Sequence, residues 1–335
     1  PRLCEDQGTC KVQVLRSVGK WSIGTKTECS ILNCYLDSIR DSHRFIYIEN
    51  QFFISSLAGD GTQNKIAEAL VERILRAYTL KEVFRVIVII PLHPNGDFAS
   101  AMKSKVVMHY EYMTINRCNT SLLNQLKARA PGINTSDYIS FYSLRNWGVI
   151  NNKIVSDQVY VHDKLMIIDD RILIIGSANI NDRSMLGIRD SEVALRIEDT
   201  FHIDSMLNEQ PHTVGYLPFT IRVKLMRQHL GNPDIDLTDP LSSKVFGYWR
   251  SVAANNSTYY DELDGPLSYY RCLGSINYKN ALDHFPPKSY LDPEARNCVE
   301  QIKGFLVDWP HNFFSSEDLS PTLATRAIIP NEMWL

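Results

Sequence analysis

Tyr160-Val-His162-Asp-Lys164-Leu-Met-Ile-Ile-Asp169-Asp-Arg-Ile-Leu-Ile-Ile-Gly176-Ser177-Ala-Asn179 is the stretch that decides the reading of this chain. Two apolar, β-branched runs flank the polar Asp169-Asp170-Arg171. The pattern predicts strands over Gln158–Ile168 and Arg171–Ile175 joined as a hairpin. Alternate residues of a strand share a face, so His162 and Lys164 are expected to project together, an imidazole beside an ammonium. Ser177 and Asn179 repeat that spacing on the partner side and offer hydroxyl and amide donors. A nucleophile or proton carrier, a fixed cation and neutral donors on one wall suit a phosphodiester. The lysine offsets the phosphoryl charge, so no cofactor and no metal are expected.

Outward from this stretch, strand and helix signals alternate. Arg44–Glu49 reads as a buried strand, and Thr62 as the cap of a helix that aligns Ile66, Leu70 and Ile74 with Ala69 and Ala77. Phe84–Ile90 is almost wholly apolar, as at the centre of a sheet covered on both faces. Pro91, Pro94 and Gly96 then predict a loop, Ser121–Ala128 a helix, Tyr138–Leu144 a strand and Glu192–Ile197 another. Interleaved strands and helices predict an α/β or α+β layered domain. Regularity falls after Asp199, where helices are expected around Ile221–Leu230 and Ser242–Ala254 amid Pro/Asn/Asp-rich loops. The predicted division is a catalytic region, 1–199, with a C-terminal extension, 200–335, packed on it.

Composition narrows the function. Thirty-five basic against 38 acidic residues leave a net charge of −3, which argues against a charge-driven nucleic-acid partner. Seven scattered cysteines without a CxxC pair suggest neither a disulfide framework nor a zinc site, and read as reduced cytosolic thiols. Asn255-Asn256-Ser257-Thr258 matches the glycosylation pattern, but no secretory signal accompanies it. Apolar stretches such as Val86–Leu92 are far too short to cross a bilayer, so any membrane contact is expected to be peripheral, from the cytoplasm. A start at Pro1 instead of Met suggests a processed or partial sequence.

The spacing HxKx4Dx6GSxN, from His162 to Asn179, resembles the signature of the phospholipase D superfamily. Its continuation from Gly176 to Glu192 resembles the second signature of the eukaryotic enzymes. Ile46-Tyr-Ile-Glu-Asn-Gln-Phe-Phe53 is similar to the family's strand upstream of that signature. Gly304-Phe-Leu-Val, Trp309-Pro310 and Ile329-Pro330-Asn-Glu-Met-Trp334 resemble the C-terminal end of the animal and fungal subgroup. The similarity runs from about Val12 to the last residues and is weakest in 93–107 and 200–220.

The resemblance implies an α-β-α sandwich with a mixed central sheet, one of two pseudo-symmetric halves. In the family one motif histidine attacks phosphorus to give a phosphohistidine, and the other protonates the leaving alcohol. His162 matches one of these two; acid first, then base for water, is the assignment favoured. Lys164 matches the phosphate-binding lysine, Ser177 and Asn179 match pocket donors, and Glu192 matches the acid that fixes the histidine tautomer. Asp169 matches the third letter of the motif, but its place at a hairpin turn suits a structural salt bridge equally well. Glu49, Asn50 and Gln51 end a strand and are expected either to line the pocket or to cap its loop, while Tyr47, Phe52 and Phe53 read as core. Two departures stand out. Asp163 replaces a small hydroxyl residue and is expected to face away from the site with little effect. Asn95–Lys103 replaces the family's glycine-rich stretch, which puts an equivalent loop in doubt.

None of the other histidines starts a second HxK. The reaction needs a nucleophile and an acid in line on opposite sides of phosphorus. The missing half is expected from an absent first-motif segment of the same polypeptide, or from a second copy of this chain across an isologous interface. The chain alone is then expected to be poorly soluble and inactive. The implied activity is hydrolysis of phosphatidylcholine at a membrane surface to phosphatidic acid and choline, with transfer to small alcohols. Phosphoinositide and small-GTPase regulation are implied as well. A homodimeric nuclease of the superfamily and a non-catalytic lipid-binding regulator are the alternatives.

Overall fold

The computed structural model describes residues 8–58, 61–94, 102–264, 287–312 and 318–321. The loop read at 95–101 and the Ile329–Trp334 block lie outside the described residues. The strands are β1 (Cys10–Val18), β2 (Glu28–Cys29), β3 (Phe45–Asn50), β4 (Arg85–Ile89), β5 (Ile139–Ile150), β6 (Lys153–Gln158), β7 (Lys164–Ile168), β8 (Ile172–Gly176), β9 (Glu192–Asp199), β10 (His202–Leu207), β11 (Gln210–Gly215) and β12 (Leu306–Asp308). The helices are α1 (Lys20–Ile23), α2 (Ser30–Asp41), α3 (Ile66–Leu80), α4 (Met102–Tyr112), α5 (Leu122–Arg129), α6 (Asp182–Met185), α7 (Tyr216–His229), α8 (Ser243–Asp264) and α9 (Pro293–Glu300).

One sheet runs β12-β5-β4-β3-β7-β8-β9-β1-β2, with β6 folded back on β5. β3–β4 and β4–β5 are parallel and the remaining neighbours antiparallel, so the sheet is mixed. Strand alternation sorts its side chains into two cores. Ile46, Ile48, Met166 and Ile168 meet Ile31, Tyr35 and Ile39 of α2, Leu70 and Ile74 of α3 and Leu126 of α5. Phe45, Tyr47, Leu165 and Ile167 meet Met226 of α7 and Val245, Trp249 and Val252 of α8. Cover on both faces is why β3 and β4 read as unbroken apolar runs. The result is an α-β-α sandwich.

Two local expectations need correction. The helix after Thr62 begins at Ile66 with Lys65 at its N-cap, so Thr62 does not cap it. The strand expected over Gln158–Ile168 is two strands. β6 pairs with β5, whereas β7 pairs with β3. Because β4 and β3 lie between β5 and β7, residues 159–163 must cross the sheet end and cannot stay in a ladder. Turn chemistry supports the next connection: Asp169 and Asp170 both take φ of 51°, the left-handed pair that a two-residue hairpin turn demands.

The segment after Asp199 is more regular than its composition indicates. Asn208 and Glu209, both at positive φ, turn β10 into β11. α7 and α8 form the second helical layer, and β12 extends the main sheet beyond β5.

Candidate active site

The candidate residues gather where β3 ends, β7 begins and β8 runs into the loop before β9. Register brings them together: Asn50 pairs with Lys164, and Gly176 pairs with Ala194, two residues from Glu192. Lys164 is only 8% exposed, yet its ammonium donates to Gln51 Oε1 at 2.9 Å and to the His162 carbonyl at 2.7 Å. Gln51 is itself fixed by donating from Nε2 to the Tyr160 hydroxyl at 3.1 Å. Burial pushes the lysine pKa down, and the carboxylates of Glu192 and Asp163 push against it. The cation is thus pre-positioned and only partly compensated, which suits the binding of an anion.

His162 stands just before β7, exposed, with its ring against Tyr160. The alternation of a strand therefore does not extend to it. The backbone is held instead by the Lys164 bond to its own carbonyl. Ser177 lies beyond the end of β8 and is exposed; its hydroxyl donates to Glu192 Oε2, and its Oγ accepts from Val193 N at 3.1 Å. Glu192 Oε1 accepts from the Ser184 hydroxyl at 2.7 Å. Both oxygens of Glu192 are taken by serines, and no bond from it to His162 occurs among the described residues. Asn179 is half-buried, and its Oδ1 has no partner there.

Glu49, Asn50 and Gln51 separate by face. Gln51 belongs to the site through Lys164. Asn50 is buried and accepts from Phe52 N at 3.2 Å and Ile180 N at 3.0 Å, tying the strand end to the loop after Asn179. Glu49, fully buried on the α7 side, accepts from the Tyr47 hydroxyl at 2.5 Å and from His229 Nε2 at 2.8 Å. Tyr47 and Phe53 are buried, while Phe52 is half-buried. Asp163 lies two residues before Leu165, the partner of Glu49, and so falls on the Glu49 side, away from Lys164. There burial and the nearby Glu49 charge work to raise its carboxyl.

Asp169 is not among these residues. It lies past the other end of β7, roughly 16 Å from Lys164 at ~3.3 Å per residue. There its carboxylate accepts from the backbone N–H groups of His43, Arg44 and Phe45 at 2.7, 2.7 and 2.8 Å, which fixes the start of β3. The inclusion of Asp169 among the catalytic candidates is corrected accordingly: it anchors β3. A cleft of about 480 Å³ lined by Asp37, His43, Asp169, Arg171 and Arg196 opens at this far end, away from His162. Asp169→Ala orphans three backbone donors and is expected to cost about 2–5 kcal/mol, while activity per folded molecule is kept. Urea denaturation beside an active-fraction assay checks both halves of that expectation.

Sequence reasoning missed Ser184, Tyr160 and His229. A histidine between Met226 and Leu230 on an apolar helix face needs a buried partner, and that was the available signal for His229. Nothing in the spacing marks Ser184.

The chain matches the profile of the family described as phospholipase D (PLDc) over residues 7–272. It is 40% identical to bovine phospholipase D2 over 342 residues, covering 98% of this chain and 36% of that protein. It is 40% identical to human phospholipase D1 over 339 residues, covering 96% and 31%. Phospholipase D B of Dictyostelium discoideum is 39% identical over 319 residues, covering 93% and 26%. The chain thus spans about a quarter to a third of the length of these relatives. With one histidine–lysine pair at the mouth of a mixed sheet and a family match across most of its residues, this chain belongs to the phospholipase D family.

Proposed function

We propose that this chain supplies the second half of the catalytic unit of a phospholipase D. The reaction is hydrolysis of phosphatidylcholine to phosphatidic acid and choline, with transfer of the phosphatidyl group to small alcohols. The observation that carries the reading is the geometry at Lys164: a largely buried ammonium, fixed by Gln51, beside an exposed imidazole that faces open solvent. Lys164 holds a phosphoryl oxygen. His162, protonated, gives its proton to the choline oxygen as the phosphorus–oxygen bond breaks and the other motif's histidine takes the phosphatidyl group. His162 then takes a proton from the water that attacks the phosphohistidine, which restores both groups. Ser177 turns from Glu192 to donate to the phosphate, and Asn179 offers its amide. Glu192 serves as a structural receiver of both serines and, once Ser177 turns away, as a partner for His162.

The partner is the first-motif half. A strip of exposed apolar residues supports a docking face beside the site: Val12 and Val14 on β1, Ile175 on β8 and Val193 on β9. Alternation and register put all four on one face of the sheet, and Val193 adjoins Glu192. No helix among the described residues is long and apolar enough to cross a membrane, and contact with the lipid surface is proposed to be peripheral. Phosphoinositides and a small GTPase are proposed regulators of the whole enzyme.

The test is choline release from phosphatidylcholine vesicles, with ethanol present to trap phosphatidylethanol, for residues 1–335 and for the longest natural polypeptide that contains them. Activity in the longer product alone is the expected result. Turnover by the short chain that depends on its concentration and is lost in His162→Ala assigns the second half-site to another copy of this chain. Absence of choline release from both, with cleavage of a single-stranded nucleic acid, overturns the lipid reading.

A further inference from the structure

Glu49 is the most enclosed acid near the candidate site, and the reaction as written does not use it. One carboxylate oxygen is saturated by Tyr47 and His229. Among the described residues, the other oxygen, Oε2, is buried and receives no donor. Buried carboxylate oxygens without a partner are costly, so a donor is to be looked for. Glu49 pairs with Leu165, so Asp163, two residues before Leu165 and between His162 and Lys164, falls diagonally beside Glu49 on the same face. Its carboxyl is the group near enough to act on Glu49. Two ionised carboxylates cannot bond each other; one proton between them satisfies both.

We propose that Asp163 and Glu49 share a proton, that this bond fixes the short link between His162 and Lys164 from behind, and that Asp163 is thereby a positioning residue for the candidate catalytic histidine. The inference rests on the assignment of His162 above, but the shared proton itself does not. Neighbours on every side fit the location of the proton. From β3 come Tyr47 and Glu49, from β7 Lys164, and from α7 His229 and Arg222, of which Arg222 is already paired with Asp170. Burial works to raise the Glu49 carboxyl, but bonds from His229, Asp163 and Tyr47 outweigh it and hold it below the ordinary carboxylate range. Asp163 moves the other way: burial, the Glu49 bond and the Glu49 charge push it up to about 6, against His229 and Lys164. The proton therefore sits on Asp163 and donates to Glu49 Oε2. The Asp163 residue as a whole is exposed, so its proton exchanges with water, and it is the side facing Glu49 that is desolvated.

The sign of the pH effect follows. An acid whose folded pKa lies above its unfolded one stabilises its arrangement fully below the ordinary carboxylate range, and loses that stabilisation as pH rises through about 6. Above that point two carboxylates face each other and the bond behind His162 is gone.

The measurement is an infrared difference spectrum between about pH 5 and about pH 7, a window that brackets the titration. It is made on the longest natural polypeptide containing residues 1–335 and on its Asp163→Asn variant, with the pH profile of turnover beside it. Asparagine donates an N–H to Glu49 Oε2 at every pH. A protonated-carboxyl band that disappears near pH 6 in the parent and is missing from Asp163→Asn is the expected result. The turnover profile is expected to lose an inflection at the same pH in the variant. Asp163→Ser removes the band as well and serves if the asparagine variant does not fold. A band unchanged by both substitutions, or no band in the parent, overturns the shared proton. A band that responds as expected with turnover profiles that superimpose overturns the positioning role. If the polypeptide shows no turnover at all, the lipid reading fails while the band still decides the proton.

Discussion

Choline release by a polypeptide that holds both motifs is expected to fall on the order of 10²–10⁴-fold when His162 is replaced by alanine, if this residue is the acid and base. Stability is expected to change by less than about 0.5 kcal/mol, because the side chain is exposed and packs only against the Tyr160 ring among the described residues. A nucleophile would be more costly to lose, on the order of 10⁶-fold in a group that acts as a unit. A substrate with a nitrophenolate in place of choline separates the roles further. Nitrophenolate leaves without a proton, so His162→Ala as an acid–base variant still forms the phosphohistidine and releases one equivalent of phenolate. It then stalls, because no base activates water. A rapid burst followed by a slow phase supports the acid–base assignment. The lack of any burst moves the nucleophile to His162.

The largest loss of stability is expected at the hairpin turn, at Asp170. Its carboxylate and the Arg222 guanidinium are both 0% exposed and doubly bonded, and Arg222 also donates to the carbonyls of Leu237 and Thr238. Asp170→Ala leaves a buried cation without its counter-charge and is expected to cost about 3–5 kcal/mol. Replacement of both residues by apolar ones of similar size is expected to recover most of that loss, since desolvation of an ion pair offsets much of its attraction. Urea midpoints for the two single variants and the double variant give the coupling. A double variant no more stable than Asp170→Ala contradicts this account. The pair ties α7 to the β7–β8 turn, so its loss also loosens the helix that carries His229 to Glu49.

What could be read from the sequence had a local cause. β3, β4 and the β7–β8 hairpin are apolar runs long enough to announce a covered sheet, and the paired aspartates between β7 and β8 fit only a tight turn. Lys164 and Gln51 were both singled out, but their bond joins positions 113 residues apart, and no periodicity encodes it. Glu49 and His229 are 180 apart, and each alone reads as a strand-end acid or a histidine on a helix. Asp163 was placed on its face by alternation, but the groups it meets there come from β3 and α7, and no local pattern announces them. α2 carried a legible stripe in Ile31, Leu32, Tyr35 and Ile39, diluted by Asn33, Asp37 and Ser38. β12 could not be found in this way, since three residues gain strand character only from Tyr142, Ser143 and Leu144 opposite them.

That late strand sets a timetable for synthesis. β5 is ordered beside β4 by residues within its own half of the chain, but its other edge at Leu144 is paired by Leu306, 162 residues later. A ribosome adding ~5–20 residues per second needs roughly 8–32 s to deliver β12 after β5 has emerged. Through that interval the nascent chain presents an unpaired edge flanked by Tyr142 and Leu144, a template for any other extended segment nearby. Yield of folded protein therefore depends on how well that edge is shielded during translation, and ribosome-bound chaperones or a faster-translated 145–305 interval should each raise it.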